Sequence, residues 1–149
     1  SKFARKTVER ARRKVERQRD VEVTDVVGMH DLRIAYKELR YSIELLSEAL
    51  PIDARAQLEP ATVFQKRLGE LHDVDVATEV IVKARGLSIP AREEALASLK
   101  ALRTKRVAKY LRELDPLGTA QNLQSLTPQT EVQDTLAPDM GADRKGRVS

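Results

Sequence analysis

Residues 29–46 read MHDLRIAYKELRYSIELL. Apolar side chains recur there at Leu32, Ala35, Leu39, Ile43 and Leu46, and the series runs on to Leu50. Steps of three and four residues are those of one buried stripe on an α-helix. His30, Arg33, Lys37 and Arg40 follow the same rhythm on another arc, within roughly 80° of one another at about 100° per residue. The apolar stripe is centred about 140° round from them. The segment therefore reads as a helix that buries one side and carries a ladder of positive charge on another. Glu38 and Glu44 are at hand for ordinary ion pairs.

A basic helix face is often nothing more than a solvated surface. His30 shifts that balance, because a protonated imidazole donates from both ring nitrogens and its charge responds to its neighbours. Four positive groups on one face repel one another until an anion sits among them, so the pattern makes most physical sense around phosphate. No metal site is expected: the chain has no cysteine, and its only other histidine is His72.

Three more segments read as helix. Residues 2–20 set Lys2, Lys6, Arg10, Arg13 and Arg17 on one face and Ala4, Val8, Ala11 and Val15 on another, a second basic ladder. The stretch VEVTDVVG, residues 21–28, is strand-like in composition, yet a lone strand has no partner, so a linker ending in a turn at Gly28 is expected. The helix of residues 29–50 stops before Pro51. A third helix starts at Ala54 or Leu58, runs to Ala84 and is closed by Gly86, with Ala61, Phe64, Leu68, Leu71, Val74 and Ile81 toward the core. Gly69 in its middle costs roughly 1 kcal/mol of helix propensity, so it is expected to permit a close helix crossing or the approach of a ligand. Gln65, Gly69 and His72 share a face and Asp73 follows; His72 is either held by hydrogen bonds within the protein or acts on a ligand.

The fourth helix, residues 90–114, opens with Pro90 and ends before Pro116. It offers Leu96, Leu99, Leu102, Arg103, Arg106, Val107, Tyr110 and Leu114, and its cations Lys100, Arg103, Lys105, Arg106 and Lys109 make a third basic patch. The expectation is an all-α chain: an antiparallel four-helix bundle in residues 1–114 with a positive surface or channel, and a largely irregular tail in residues 115–149. That tail is proline-rich and polar, with only Leu117, Leu123 and Leu126 to dock a short turn.

Charge is uneven along the chain. The net charge is +4 over 149 residues, but residues 1–20 hold nine Lys or Arg against three acids, and residues 1–114 hold 24 against 18. No apolar run approaches the roughly 18 residues of a membrane span, and no signal-peptide core opens the chain. A soluble cytoplasmic protein is the expectation.

The runs HDLRIAYKELRYSIELL and VFQKRLGELHDVDVA together resemble the conserved histidine alpha-helical domain family, abbreviated CHAD. The family histidine falls on His30, its recurring basic positions on Arg33, Lys37 and Arg40, and the motif continues through Tyr41 and Glu44. The downstream signature falls on Leu68, Gly69, Leu71, His72 and Asp73, and the resemblance spans residues 3–112. It implies an all-helical domain that binds inorganic polyphosphate, or another phosphate-rich polyanion, through basic residues on a central surface. A full member resembles two similar four-helix halves, whereas this chain has helices for one, most like the second. Two copies then pair as a homodimer to rebuild the surface, or the chain is a truncated piece with weakened binding.

The expected function is therefore non-enzymatic binding, without a cofactor. Its residues would be His30, Arg33, Lys37 and Arg40, extended by Lys6, Arg10, Arg13 and Arg17, with His72, Arg103 and Arg106 from the later helices. Nucleic-acid binding competes, since the charge suits it, but only 3% of residues are aromatic and no stacking platform stands out. A metal-dependent phosphohydrolase is the weaker alternative: the acids are dispersed, with Asp73 and Asp75 beside His72 the nearest to a metal pair.

Overall fold

Small apolar side chains at every third or fourth position give the first helix an edge that packs closely. In the computed structural model, which describes residues 1–115, helix α1 (Lys2–Gln18) buries Ala4, Val8, Ala11 and Val15. Helix α2 (Val26–Leu46) buries Met29, Leu32, Ala35, Tyr36, Leu39 and Ile43. A 3₁₀ turn (Ser47–Ala49) and a short helix, α3 (Ile52–Arg55), lead into α4 (Leu58–Lys83), and α5 (Ile89–Leu114) completes the order. No strand occurs among the described residues. None of the helices there is long and apolar enough to cross a membrane. The expected tail lies outside the described residues.

Pairwise contacts set the helix directions. The Ser1 ammonium donates to the Ala49 carbonyl and Lys14 meets Glu38, so α1 runs antiparallel to α2. His30 touches His72 and Tyr36 stacks on Phe64, which makes α2 and α4 antiparallel. Arg103 reaches Asp75 while Arg67 reaches Glu113, and the same follows for α4 and α5. The main interfaces link α1 to α2, α2 to α4 and α4 to α5. This is the expected antiparallel four-helix bundle.

Boundaries differ from the sequence reading where local chemistry intervenes. Gly28 does not end a linker; it sits in the first turn of α2, its backbone N–H donating to the Asp25 carboxylate at 2.9 Å. A Cβ at Gly28 would collide with Val21 and with that capping carboxylate, so the glycine lets the linker fold onto the helix start. Helix α2 ends at Leu46, but Leu50 is still buried because the 3₁₀ turn carries the chain back over the core. At the far end of α4, Arg92 donates to the carbonyls of Ile81, Val82 and Ala84 at 2.6, 2.8 and 2.7 Å. It thus satisfies acceptors that a helix terminus leaves open, and Gly86 takes φ +83 in the turn that follows.

The core is asymmetric. Ala61, Phe64, Leu68, Leu71 and Val74 of α4 are buried as the periodicity implies, but Ile81 is only half-buried because it lies in the last turn of α4. From α5 only Tyr110 is fully buried; Leu96 and Leu99 are half-buried and Leu102 is exposed. Helix α5 packs mainly on α4, and its apolar series is only partly covered. Tyr36 stacks on Phe64 at 5.0 Å between ring centroids, Tyr110 meets Phe64 edge-on at 6.3 Å, and the Arg19 guanidinium lies 5.7 Å from the Phe64 centroid.

Burial pushes the Tyr36 hydroxyl up to about 12 from its ordinary 10, the nearby Arg19 opposing and Tyr110 adding to the shift. Burial raises Tyr110 as well. The folded state thus favours the neutral phenols. For Tyr36 the contribution is complete below pH 10 and is lost as pH rises through about 12, a loss of roughly 2 kcal/mol. Unfolding midpoints measured between pH 9 and 12 should therefore fall less steeply in Tyr36→Phe than in the parent. Equal slopes would refute this account.

Candidate functional site

The α2 ladder lies along the seam with α4. His30, Arg33, Lys37 and Arg40 are all half-buried on one flank of α2, and His72 of α4 meets His30 with ring centroids 4.9 Å apart and 35° between the planes. Gln65, Gly69 and His72 share a face of α4, so the His30–His72 contact turns that face toward the α2 cations. These residues, scattered over two sequence motifs, form one elongated surface.

Polar atoms along this seam have no partner within the protein. His30 Nδ1, Arg33 Nε, Arg40 Nε and Gln65 Oε1 are buried and make no hydrogen bond. Arg40 Nε has Glu44 only at 3.8 Å, an ion pair beyond hydrogen-bond reach. Buried donors are normally satisfied, because leaving one unmade costs about 1–3 kcal/mol. Three such nitrogens, of His30, Arg33 and Arg40, belong to the basic flank of α2.

Gly69 adds room. A Cβ built there meets nothing within 4 Å, so this glycine does not serve a helix crossing. Of the two roles the sequence suggested for it, open access to the α4 backbone is the one the packing permits. Helix propensity is lost at Gly69 without any packing return inside the protein.

Tyr41 was legible only as part of the motif. It stands 47% exposed between two cations of the ladder, with the Lys37 ammonium 5.7 Å and the Arg40 guanidinium 4.7 Å from its ring centroid. The ring restrains both long side chains at a modest energetic gain, so the ladder is partly preorganised. The i, i+4 spacing of Lys37 and Tyr41 is the sequence signal for this contact.

The α1 ladder forms a separate track. Lys6, Arg10, Arg13 and Arg17 line a groove of about 400 Å³ with Glu9, all on α1. That face points away from the buried stripe of Ala4, Val8, Ala11 and Val15. Hydrogen bonds from Arg12 and Arg13 hold the Glu9 carboxyl down at about 2, so it stays charged and offsets part of the groove's positive field. Between the two ladders runs an apolar groove of about 560 Å³, lined by Phe3, Ile34, Tyr41, Leu45 and Leu46 and edged by Lys37 and Glu38.

Arg103 and Arg106 of α5 are engaged within the protein. Arg103 donates to the Asp75 carboxylate and to the Val23 carbonyl, both at 2.7 Å, and Arg106 donates to the Glu70 carbonyl at 2.7 Å. These contacts knit α5 to α4 and to the α1–α2 linker. Asp75 is thereby engaged with a guanidinium, and among the described residues no three His, Cys, Asp or Glu side chains converge as a metal site.

A family model described as CHAD domain matches residues 1–82, a range that holds α1, α2, α3 and nearly all of α4, and with them both ladders and both histidines. No curated protein and no solved structure matches the chain.

Proposed function

The chain belongs to the CHAD domain family, and from that membership we propose that it binds inorganic polyphosphate along the α2–α4 seam without transforming it. The observation that carries the reading is the row of unpartnered side-chain nitrogens on one basic flank: His30 Nδ1, Arg33 Nε and Arg40 Nε. Guanidinium groups present a fork that matches phosphoryl oxygens, and the Lys37 ammonium follows an irregular chain as a point charge. Gly69 leaves space for the ligand to approach α4. The α1 groove with Lys6, Arg10, Arg13 and Arg17 offers longer chains a second, separate contact. Arg103 and Arg106 support this surface by fixing α5 against α4.

The proposal includes pairing of two copies. Phe3, Ile34, Tyr41 and Leu45 are exposed by 72, 38, 47 and 86% along one groove, an apolar surface that a second chain would cover. A cytoplasmic setting, where polyphosphate-rich bodies provide the ligand, completes it.

Titration of the purified chain with polyphosphate of defined length, beside duplex DNA and heparin at matched charge concentration, tests the reading. Saturable binding selective for polyphosphate is expected, with affinity falling steeply as salt rises because counterions are released from the ligand. Equal affinity for all three polyanions would reduce the seam to a nonspecific basic surface. Light scattering on the same samples reports whether two copies associate.

A further inference from the structure

His30 and His72 are the two histidines of the chain, and the fold brings them from antiparallel helices into ring contact at 4.9 Å. A histidine with a purely structural role is usually anchored by a hydrogen bond to a carboxylate or carbonyl. Here the buried Nδ1 of His30 makes none, and neither does Arg33 Nε one turn along. Next to His72 on the same face of α4 the backbone is bare at Gly69.

The helices that carry the pair and those packed on them hold further charged groups. On α2 they are Asp31 and Arg33, with Lys37 further along the same flank. On α4 they are Asp73, Glu70, which pairs with Arg67 at 3.4 Å, and Asp75, which is held by Arg103. Helix α5 supplies Arg103 and Arg106, both tied to α4 by hydrogen bonds. From the end of α1, Arg17 and Asp20 share a small groove with Asp31. Asp75 is thereby drawn toward Arg103, whereas Oε2 of Glu70 is buried without a hydrogen-bond partner.

Two protons on the pair would place two positive charges in ring contact, with the fixed charges of Arg33 and Lys37 on the same flank. A phosphoryl group seated against both rings favours one charged imidazole, because the imidazolium and the N–H of its neutral neighbour can then both donate to anionic oxygens. We propose that the His30–His72 pair is a proton-linked phosphoryl seat: polyphosphate binds there together with about one proton, so occupancy of the seam responds to pH. This rests on the polyphosphate reading above. By linkage, a ligand that prefers the protonated protein takes up a proton when it binds, and it binds more tightly as pH falls, by at most about tenfold per pH unit for each proton.

Calorimetry with long-chain polyphosphate, whose chain ends are few, tests this at pH 7 in two buffers of different ionisation heat. The difference in observed heat counts the protons exchanged. Uptake of about one proton is expected for the parent chain and close to none for His30→Gln or His72→Gln, both variants binding more weakly through the remaining α2 cations. As a readout independent of any substitution, the two histidine ring resonances of the parent should move toward their charged positions when polyphosphate is added. Binding without proton uptake, or uptake unchanged in both variants, would overturn the proton linkage and leave polyphosphate binding intact. Absence of any polyphosphate binding would overturn the functional reading and this inference with it.

Discussion

Replacing Arg33, Lys37 and Arg40 together by alanine is expected to lower polyphosphate affinity by about 100-fold or more while the bundle stays folded. Each charge-assisted contact to a phosphoryl oxygen contributes about 1.5–3 kcal/mol in a partly buried setting, and tenfold in affinity corresponds to about 1.4 kcal/mol. Even the low end of that range, reduced for the exposed part of each side chain, passes two decades for three residues. Stability should hardly suffer. Alanine is the best helix former, none of the three residues lies in the buried stripe, and Arg33 Nε and Arg40 Nε make no hydrogen bond that their removal would break. Binding isotherms beside thermal melts check both halves of the statement. Unchanged affinity in a folded triple variant would move the site away from the α2–α4 seam, with the α1 groove as the next place to look.

Opposite effects on stability and binding are expected at Gly69. Gly69→Ala should stabilise the chain by about 0.5–1 kcal/mol, because a methyl group there meets nothing within 4 Å and helix propensity improves. Gly69→Leu should also fold, its side chain projecting into the open space beside His72, yet lose at least about tenfold in polyphosphate affinity by occupying the ligand's place. Denaturant unfolding reads the first effect and titration the second. A leucine variant that binds like the parent would show that the opening at Gly69 serves no ligand. A glycine retained solely for packing would instead make both variants less stable.

Much of the fold was legible because helical burial is periodic. Ala4, Val8, Ala11 and Val15 on α1 and Leu32, Ala35, Leu39 and Ile43 on α2 are buried as their spacing requires. Tyr36 was missed because it lies beside that stripe rather than on it; it is buried because α4 packs on the same flank and offers Phe64 as a stacking partner. Leu102 illustrates the converse. It belongs to a sound apolar series on α5 and is 38% exposed, since no element covers that side of the helix among the described residues.

For the candidate site, the α2 ladder could be read one helix at a time, but its neighbours could not. Arg103 and Arg106 repeat like ladder cations in sequence and turn out to hold α5 against α4, because only the packing brings Asp75, the Val23 carbonyl and the Glu70 carbonyl within their reach. The ladder of α1 looked continuous with that of α2 and forms its own groove, since the α1 cations lie opposite the face that packs inward.

By itself the sequence determined that this chain makes amphipathic helices, that two of them carry basic ladders, and that a histidine stands at the head of one. Those are properties of side-chain spacing at 3.6 residues per turn, which any isolated helix obeys. Only the tertiary structure decided that His30 meets His72, that Gly69 faces open space, and that Arg33 and Arg40 keep buried donors without partners. These depend on how α2 and α4 cross, a long-range choice made by the fit of Leu32, Tyr36 and Ile43 against Phe64, Leu68 and Leu71, which no local periodicity encodes.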